Sequence, residues 1–307
     1  MVGSMYAAIS GLRAHQQKMN VIGNNIANVN TYGYKSQRTT FKESMYSSLR
    51  ASTGGTATMG GTNASQIGYG CSVGTIDMNM KTGTYAITDR TLDVMIDGDG
   101  FLITGNIDAG GYDIVGGDSI DGLQLSRLGN LDFDNNGYLV DGNGNVIYGF
   151  AKDGQGDYDD TYRLVPLKKP ADPNEPDEVM ALTNISISDK GEITGSYGDQ
   201  IITIGCIALA YVDNPNGLTH LGGPYYQAGG NAGGVRAGTV GNVIGAGDDT
   251  GIVNFNSSFV PGALEMSNVD ISNEFADLIT TQRGFQANTK IITVTDEMLS
   301  DLVSMKR

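Results

Sequence analysis

The strongest constraint on the fold lies in the C-terminal segment, where apolar side chains recur at every seventh position. The repeat consists of Ile271, Leu278, Phe285, Ile292 and Leu299. A period nearer 3.5 than 3.6 residues per turn, sustained this long, is typical of a coiled-coil seam. Phe275 widens the stripe, Ser267 or Asn268 is expected to cap the helix, and Asp270 suits the positive end of its dipole. The sequence therefore predicts a C-terminal helix of about 57 Å at 1.5 Å per residue.

This predicted helix needs a partner for its apolar stripe. No later segment can cover it, so the partner is expected to be the N-terminal helix, another copy of the chain, or both. The polar positions Gln282, Thr289 and Asp296 fit a contact between chains better than a dry monomer core. Burying each Leu- or Ile-sized side chain contributes about 1.5–3 kcal/mol, which favours association of copies. A helix packed on the core of its own domain is the alternative.

A second amphipathic helix is predicted from Ser4 to about Asn28. Its apolar residues are Met5, Ile9, Leu12, Met19, Ile22 and Ile26. Gly11 and Gly23 each weaken such a helix by about 1 kcal/mol relative to Ala. The turn formers of residues 28–33 are expected to end it. Residues 1–50 carry a net charge of +5 and residues 264–307 a net charge of −3, so the two ends are either complementary or simply solvated.

The middle of the chain has a β pattern. Short alternating or β-branched runs are separated by Gly, Asn and Asp turns, at 92–96, 101–104, 123–125, 138–140, 146–150, 185–188 and 201–212. Two turns, at 141–144 and 189–191, have hairpin chemistry. Residues 51–65 are expected to form a flexible or extended connection, and residues 168–176 and 228–251 to form loops. The sequence therefore predicts an antiparallel β domain between two helices.

Composition excludes several function classes. The net charge of the chain is −15, and residues 51–263 alone carry −17. This acidity argues against a protein that binds nucleic acid through its phosphate backbone. The cysteines, Cys71 and Cys206, are too few for a disulfide scaffold, and His15 and His220 lie too far apart in sequence to suggest a metal site. There is no apolar run long enough to span a membrane and no cleavable signal sequence.

Motifs that could carry chemistry have simpler explanations. Residues 132–137 match the first half of an EF-hand loop, but Asn143 stands where a bidentate Glu is needed. A tight hairpin turn explains the same Asp and Asn residues. Cys206 lies in an apolar run and is expected to be a buried small hydrophobe. The sequence predicts no catalytic residue, no cofactor, no metal site and therefore no enzyme.

Several segments resemble one protein family, the flagellar rod and hook proteins of bacteria. The resemblance begins with residues 4–12 (SMYAAISGL) and 24–35 (NNIANVNTYGYK) and ends with 264–270 (LEMSNVD) and 281–288 (TQRGFQAN). Between them, residues 92–101 (LDVMIDGDGF), 126–130 (SRLGN), 214–218 (NPNGL) and 221–223 (LGG) are similar to its shared β-domain signatures. The matching terminal residues are Asn24, Asn25, Asn28, Gly33, Gln282, Arg283 and Asn288.

The resemblance implies an α+β fold in which the terminal helices pair as an axial coiled coil around a central antiparallel β domain. It assigns residues 1–40 and 264–307 to the axial assembly domain, 41–75 to a linker and 76–263 to an outer β domain, with a small insert at about 151–200. The apolar residues of both helices would then mediate self-assembly into a helical tube. Implied partners are further copies, the flagellar rod, the hook cap, the hook–filament junction proteins and the type III export apparatus, without nucleic acid or membrane insertion.

Within the family, the chain most resembles the hook proteins of Gram-positive bacteria, through residues 59–68 and the ending at 302–307. This implies an extracellular universal joint between motor and filament, exported without a cleaved signal peptide. The compact length also fits the distal rod protein, a rigid drive shaft, which is the alternative within the family. From a different class, a β-domain enzyme or adhesin that is merely trimerised by its helices would also fit the residue pattern.

Overall fold

The computed structural model divides the described part of the chain into two compact units. The described residues are 2–55, 59–108, 111–114, 120–152, 158, 162–171, 179–198, 200–241, 243 and 252–305. The first unit comprises the described residues of 1–29, 36–79 and 269–307, and the second those of 30–35 and 80–268. The fold is α+β, with one helix near each end of the chain and strands between them.

The two helices are α1, Val2–Ala27, and α2, Ile271–Ser304. Asp270 caps α2, because its carboxylate accepts hydrogen bonds from the backbone N–H groups of Ser272 (2.9 Å) and Asn273 (3.3 Å). The predicted caps, Ser267 or Asn268, are therefore wrong, since the helix begins later. Within the described residues neither helix is both long and apolar enough to cross a membrane.

The strands of the described residues are short, and most have three to five residues. They are β1 Gln37–Glu43, β2 Tyr46–Arg50, β3 Ser65–Gly68, β4 Cys71–Met78, β5 Tyr85–Ile87, β6 Val94–Asp97, β7 Phe101–Gly105, β8 Tyr112–Asp113, β9 Gln124–Ser126, β10 Leu131–Phe133, β11 Leu139–Asp141, β12 Val146–Ala151, β13 Arg163–Pro166, β14 Thr183–Ile187, β15 Glu192–Tyr197, β16 Gln200–Ile207, β17 Leu209–Tyr211, β18 Leu218–Gly222, β19 Tyr225–Ala228, β20 Arg236–Val240, β21 Val253–Phe255, β22 Ser258–Pro261 and β23 Ala263–Glu265.

In the first unit, two antiparallel strand pairs accompany the helices. Strand β1 pairs with β4, and β2 pairs with β3 in the register Tyr46↔Gly68. An isolated bridge, Thr53↔Thr62, continues the second pair outward. The segment predicted as the linker, residues 41–75, thus contains paired strands as well as the connection at 51–64, of which 56–58 lie outside the described residues. The limits of the predicted domains stay a prediction.

In the second unit, a 15-stranded sheet is built around the order β14-β15-β16-β12-β7-β17-β20-β21. Its described pairs are antiparallel apart from β20–β21, which is parallel. Two further pairs, β6–β22 and β5–β23, are also antiparallel. The core consists of apolar side chains from these strands, namely Val94, Ile96, Leu102, Leu131, Leu139, Ile147, Leu167, Ile187, Ile193, Ile204, Ile207, Leu209, Val240, Phe255 and Phe259.

Both predicted hairpin turns are confirmed, between β11 and β12 and between β14 and β15. The EF-hand-like stretch is the β10–β11 turn, in which the Asp134 carboxylate accepts from the backbone N–H groups of Asn136 (3.0 Å) and Tyr138 (2.7 Å). The prediction of a loop over 228–251 is wrong for β20, whose small residues pack in the sheet with their side chains buried. Residues 172–176, 242 and 244–251 of the predicted loops lie outside the described residues.

Candidate functional site

The helices α1 and α2 lie side by side and run antiparallel. A Cβ atom built on Gly11 would lie 2.8 Å from Asn288 Nδ2, and one built on Gly284 would lie 2.7 Å from His15 Cε1. Farther along the pair, Asn25 Nδ2 donates to Glu274 Oε1 at 2.9 Å. From one contact to the next, the residue number rises on α1 by as much as it falls on α2, so the three contacts share one register. The first helix of the chain is thus paired with the last.

Two glycines set this register by a reciprocal packing arrangement. Gly11 of α1 accommodates the Asn288 side chain of α2, and Gly284 of α2 accommodates the His15 ring of α1. The imidazole also stands edge-on to Phe41 of β1, with 5.5 Å between ring centroids. A glycine costs a helix about 1 kcal/mol relative to Ala, so its presence here is explained by the close approach of the partner side chain.

Hydrogen bonds and an ion pair join the helices where the C-terminal end of α1 meets the N-terminal end of α2. The side chain of Asn25 is buried, and besides Glu274 it bonds the backbone of Gln37, donating to its oxygen at 2.9 Å and accepting from its nitrogen at 3.0 Å. Burial raises the pKa of the Glu274 carboxyl above its ordinary value, although the bond from Asn25 opposes the shift. Lys18 Nζ lies 3.7 Å from Asp277 Oδ2. Asn25 thereby connects α1, α2 and β1.

The predicted residues of α2 occupy only part of the face that is covered in this single chain. Leu278, Phe285, Ile292 and Leu299 are half-buried, whereas Ile271 and Phe275 are exposed. The other covered positions are polar and also recur every seven residues, as Glu274, Thr281, Asn288 and Thr295. Thr281 and Thr295 are the two fully buried residues of α2. The predicted polar positions Gln282, Thr289 and Asp296 are one residue farther along and exposed.

Of the predicted residues of α1, Ile22 is buried, and the other five, Met5, Ile9, Leu12, Met19 and Ile26, are half-buried. Ile9 lines a cavity of about 520 Å³ in the first unit, together with Arg13 of α1, Cys71 of β4 and Tyr69 just before that strand. Ala8 and Ala14 are buried but were not among the predicted residues. Small side chains give a weak apolar signal, which is why sequence periodicity favoured their larger neighbours.

The first unit leaves an unusual amount of apolar surface exposed. On the C-terminal half of α2, one stripe follows helical spacing and consists of Ile291, Val294, Met298, Leu302 and Met305. We call this set the C-terminal stripe. Exposed apolar side chains also lie along the β2–β3 pair, at Met45, Leu49, Met59 and Ile67. Contiguous apolar surface of this kind marks an interaction site, because isolated monomers seldom keep it.

Comparison with known proteins places this architecture in a family. Residues 5–35 match the family model described as "Flagella basal body rod protein", and residues 260–305 match "Flagellar basal body rod FlgEFG protein C-terminal". The chain is 38% identical over 307 residues to the flagellar basal-body rod protein FlgG of Bacillus subtilis (strain 168), with 100% of both chains covered. The chain belongs to the flagellar rod and hook protein family.

Other relatives include both branches of this family. The rod protein FlgG of Buchnera aphidicola subsp. Schizaphis graminum is 30% identical over 317 residues, with 98% of this chain and 99% of that protein covered. The hook protein FlgE of Borreliella burgdorferi is 26% identical, with 100% of both chains covered, but that alignment extends over 458 positions. These relatives are structural proteins of the flagellum and not enzymes, and the chain is a flagellar basal-body or hook component like them.

The family-motif residues fall into three groups. Asn25 and Asn288 lie in the helix contact described above. Asn24, Gln282 and Arg283 are exposed, and Asn28 Nδ2 donates to the backbone oxygen of Asn24 at 2.9 Å, which closes the end of α1. Gly33 lies in the second unit, where its N–H donates to the backbone oxygen of Glu265 at 2.8 Å.

Groups that could carry chemistry are inert or dispersed in this flagellar protein. Cys206 is fully buried, and desolvation raises the pKa of its thiol to about 12. His15 lies in the first unit and His220 in the second. Among the described residues, no three His, Cys, Asp or Glu side chains form a cluster able to hold a metal ion. Among the described residues, the candidate functional features are therefore the helix contact and the exposed apolar surfaces.

Proposed function

We propose that the chain is a subunit of the flagellar rod and polymerises into a straight helical tube that transmits torque. The observation that carries the proposal is the full-length match at 38% identity to a rod protein, aligned over 307 residues. The hook relatives align over 458 and 481 positions, many more than this chain has residues. The hook interpretation favoured by the sequence therefore becomes the second candidate.

The strands that lie in sequence between α1 and the second unit, which we call the β unit, support a rigid rod subunit over a flexible hook subunit. A universal joint needs a segment that can lengthen and shorten, and the connection predicted at residues 51–65 is the candidate for it. In the structure, β2 and β3 pair on either side of this connection, and the bridge Thr53↔Thr62 lies within it. A paired ribbon resists stretching better than a flexible connection, because backbone hydrogen bonds must break before it lengthens.

In the proposed tube, α1 and α2 form the axial layer as a coiled coil and the β unit forms the outer layer. The support is the seven-residue spacing of the covered positions of α2 and the apolar side chains left exposed beside them. Head-to-tail contacts that do not close give a helical polymer and not a ring. The proposed location is outside the cytoplasmic membrane, after export through the flagellar type III apparatus without cleavage of a signal peptide. Rod, hook-cap and junction proteins are the proposed partners.

Electron microscopy of concentrated protein tests this proposal. We expect straight polymers for a rod subunit, curved ones for a hook subunit and discrete particles if the chain does not self-assemble. The informative variant is Met298→Asp, because that side chain is 45% exposed and its loss spares the helix contact. The matched control is Ser300→Asp, two residues away and also exposed. Polymers should disappear with the first variant and persist with the second. Normal polymers from Met298→Asp would refute the role of the C-terminal stripe.

A further inference from the structure

Three charged residues from three separate sequence motifs meet inside the second unit. Lys35 ends the segment that follows α1, Arg127 lies between β9 and β10, and Glu265 is the last residue of β23. Lys35 Nζ is 2.6 Å from Glu265 Oε1, and Arg127 Nη1 is 3.5 Å from Glu265 Oε2. All three side chains are about 1% exposed. We call them the junction cluster.

The junction cluster connects the three segments of the second unit that adjoin the first unit in sequence, because Lys35 and Glu265 belong to two of them and bond the backbone of the third. Glu265 accepts a third hydrogen bond from the N–H of Gly83 (3.0 Å), and Lys35 Nζ donates to the backbone oxygen of Lys81 (3.2 Å). The same Lys81 oxygen accepts from Asn268 Nδ2 at 2.8 Å. Residues 30–35, 81–83 and 265–268 are the ends of the second unit's segments, so one cluster ties all of them together.

Arg127 links this cluster to strand β6 and to the residues that follow it. Its Nη2 donates to the backbone oxygen of Gly98 at 2.8 Å, and its Nη1 lies 3.4 Å from the backbone oxygen of Ile96. Gly33 permits the close approach, since its φ is +71° and a Cβ there would lie 3.1 Å from the backbone carbon of Arg127. The entering segment therefore packs directly on the residue that carries the guanidinium.

The cluster is a costly way to gain stability. It buries two cations with one carboxylate, and desolvation lowers the pKa of the Lys35 ammonium, with Arg127 adding to the shift and Glu265 opposing it. Well-packed apolar residues in place of a buried ion triad are often as stable or more so. What apolar residues cannot supply is the set of directed bonds to Gly83, Lys81 and Gly98. The directed bonds are thus the feature that only this cluster provides.

We propose that Lys35, Arg127 and Glu265 are positioning residues that fasten the entering, returning and leaving segments to the β unit. In a torque-transmitting polymer, force that travels along the chain from either helix enters the second unit through these segments, because they adjoin the first unit in sequence. The role of these residues in transmitting force rests on the proposed function. The fastening itself is a property of the single chain and can be tested without polymers.

Hydrogen exchange measured on the unpolymerised full-length protein tests the fastening. We compare peptides covering 30–36 and 80–84 with a core peptide covering β12. Glu265→Gln should speed exchange of the Gly33 and Gly83 amides by about a hundredfold or more, because a buried ion pair is broken. The matched control is Asp213→Asn, which neutralises a carboxylate of the exposed pair Arg236–Asp213 in the same unit. It should leave both junction peptides at the wild-type rate.

A second variant separates fastening from stability. In the triple variant Lys35→Met, Arg127→Met and Glu265→Leu, we expect the core peptide to stay protected and the junction peptides to exchange fast. Wild-type exchange at the junction in this variant would overturn the proposal, and so would wild-type exchange in Glu265→Gln. If Glu265→Gln fails to fold, the triple variant alone decides. Polymerisation of the wild-type chain tests the proposed function separately, so either idea can fail without the other.

Discussion

Substitution of Gly284 by Ala should destabilise the helix pair, even though Ala is the better helix former. The change gains about 1 kcal/mol of helix propensity. Against this, the new Cβ would lie 2.7 Å from His15 Cε1 and 2.8 Å from His15 Nε2, and overpacking of this kind costs about 1–3 kcal/mol. His15 has little room to retreat, because its ring contacts Phe41 on another side. We expect a net loss of about 1 kcal/mol in the free energy of unfolding.

A double-mutant cycle makes this prediction sharp. When His15 is replaced by Ala, the obstacle disappears, and Gly284→Ala should then stabilise the protein by about 1 kcal/mol. The coupling free energy between the two sites is therefore expected near 2 kcal/mol, read from urea unfolding followed by helical circular dichroism. Gly23→Ala is the control, since a Cβ there meets no atom within 4 Å and should stabilise both backgrounds equally. Coupling below about 0.5 kcal/mol would refute the packing argument.

Three further predictions follow from the described contacts. Replacing Ile292, on the covered face of α2, by Asp should abolish polymers in electron micrographs while the β signal in circular dichroism persists. Normal assembly of Ile292→Asp would count against the predicted coiled-coil seam of α2. Burial, with a smaller effect of Lys18, lowers the pKa of His15 below 6.5, so the unfolded chain binds the proton first. Unfolding free energy should accordingly fall as pH drops below 6.5, and His15→Phe should remove that part of the slope. Cys206 should resist a thiol reagent in the native state while the half-buried Cys71 reacts, and equal rates would contradict the burial of Cys206.

The helices were predictable because their signal is periodic and local. The seven-residue repeat from Ile271 to Leu299 identified α2, and its members are half-buried apart from Ile271, which is exposed. The same repeat could not show that Thr281 and Asn288 share the covered face, since polar residues on a seam look like solvent positions. Gly11 was predicted to weaken α1, and only the position of Asn288 explains why a glycine stands there.

The β unit was less predictable, because its strands are short and its decisive contacts are distant in sequence. Strand β20 was missed, since Ala237 and Gly238 carry no strand signal and acquire their role only from neighbouring strands. The junction cluster has the same origin. Lys35 and Glu265 are 230 residues apart, and Arg127 and Glu265 are 138 apart, so no local pattern connects them. Their motifs were visible in the sequence, but the reason for the charges was not.

The distribution of side chains on α2 explains why pairing within one chain is compatible with assembly between chains. The contact with α1 combines Gly, Thr, Asn and Glu residues, which give register by close fit and hydrogen bonds, with the half-buried apolar residues of the seven-residue repeat. The larger apolar residues of the C-terminal stripe stay exposed. Full burial of such a side chain contributes about 1.5–3 kcal/mol, so a neighbouring copy that covers the C-terminal stripe gains free energy without disrupting the contact within the chain. Assembly driven in this way should depend weakly on salt, because exposed ion pairs are screened and apolar burial is not.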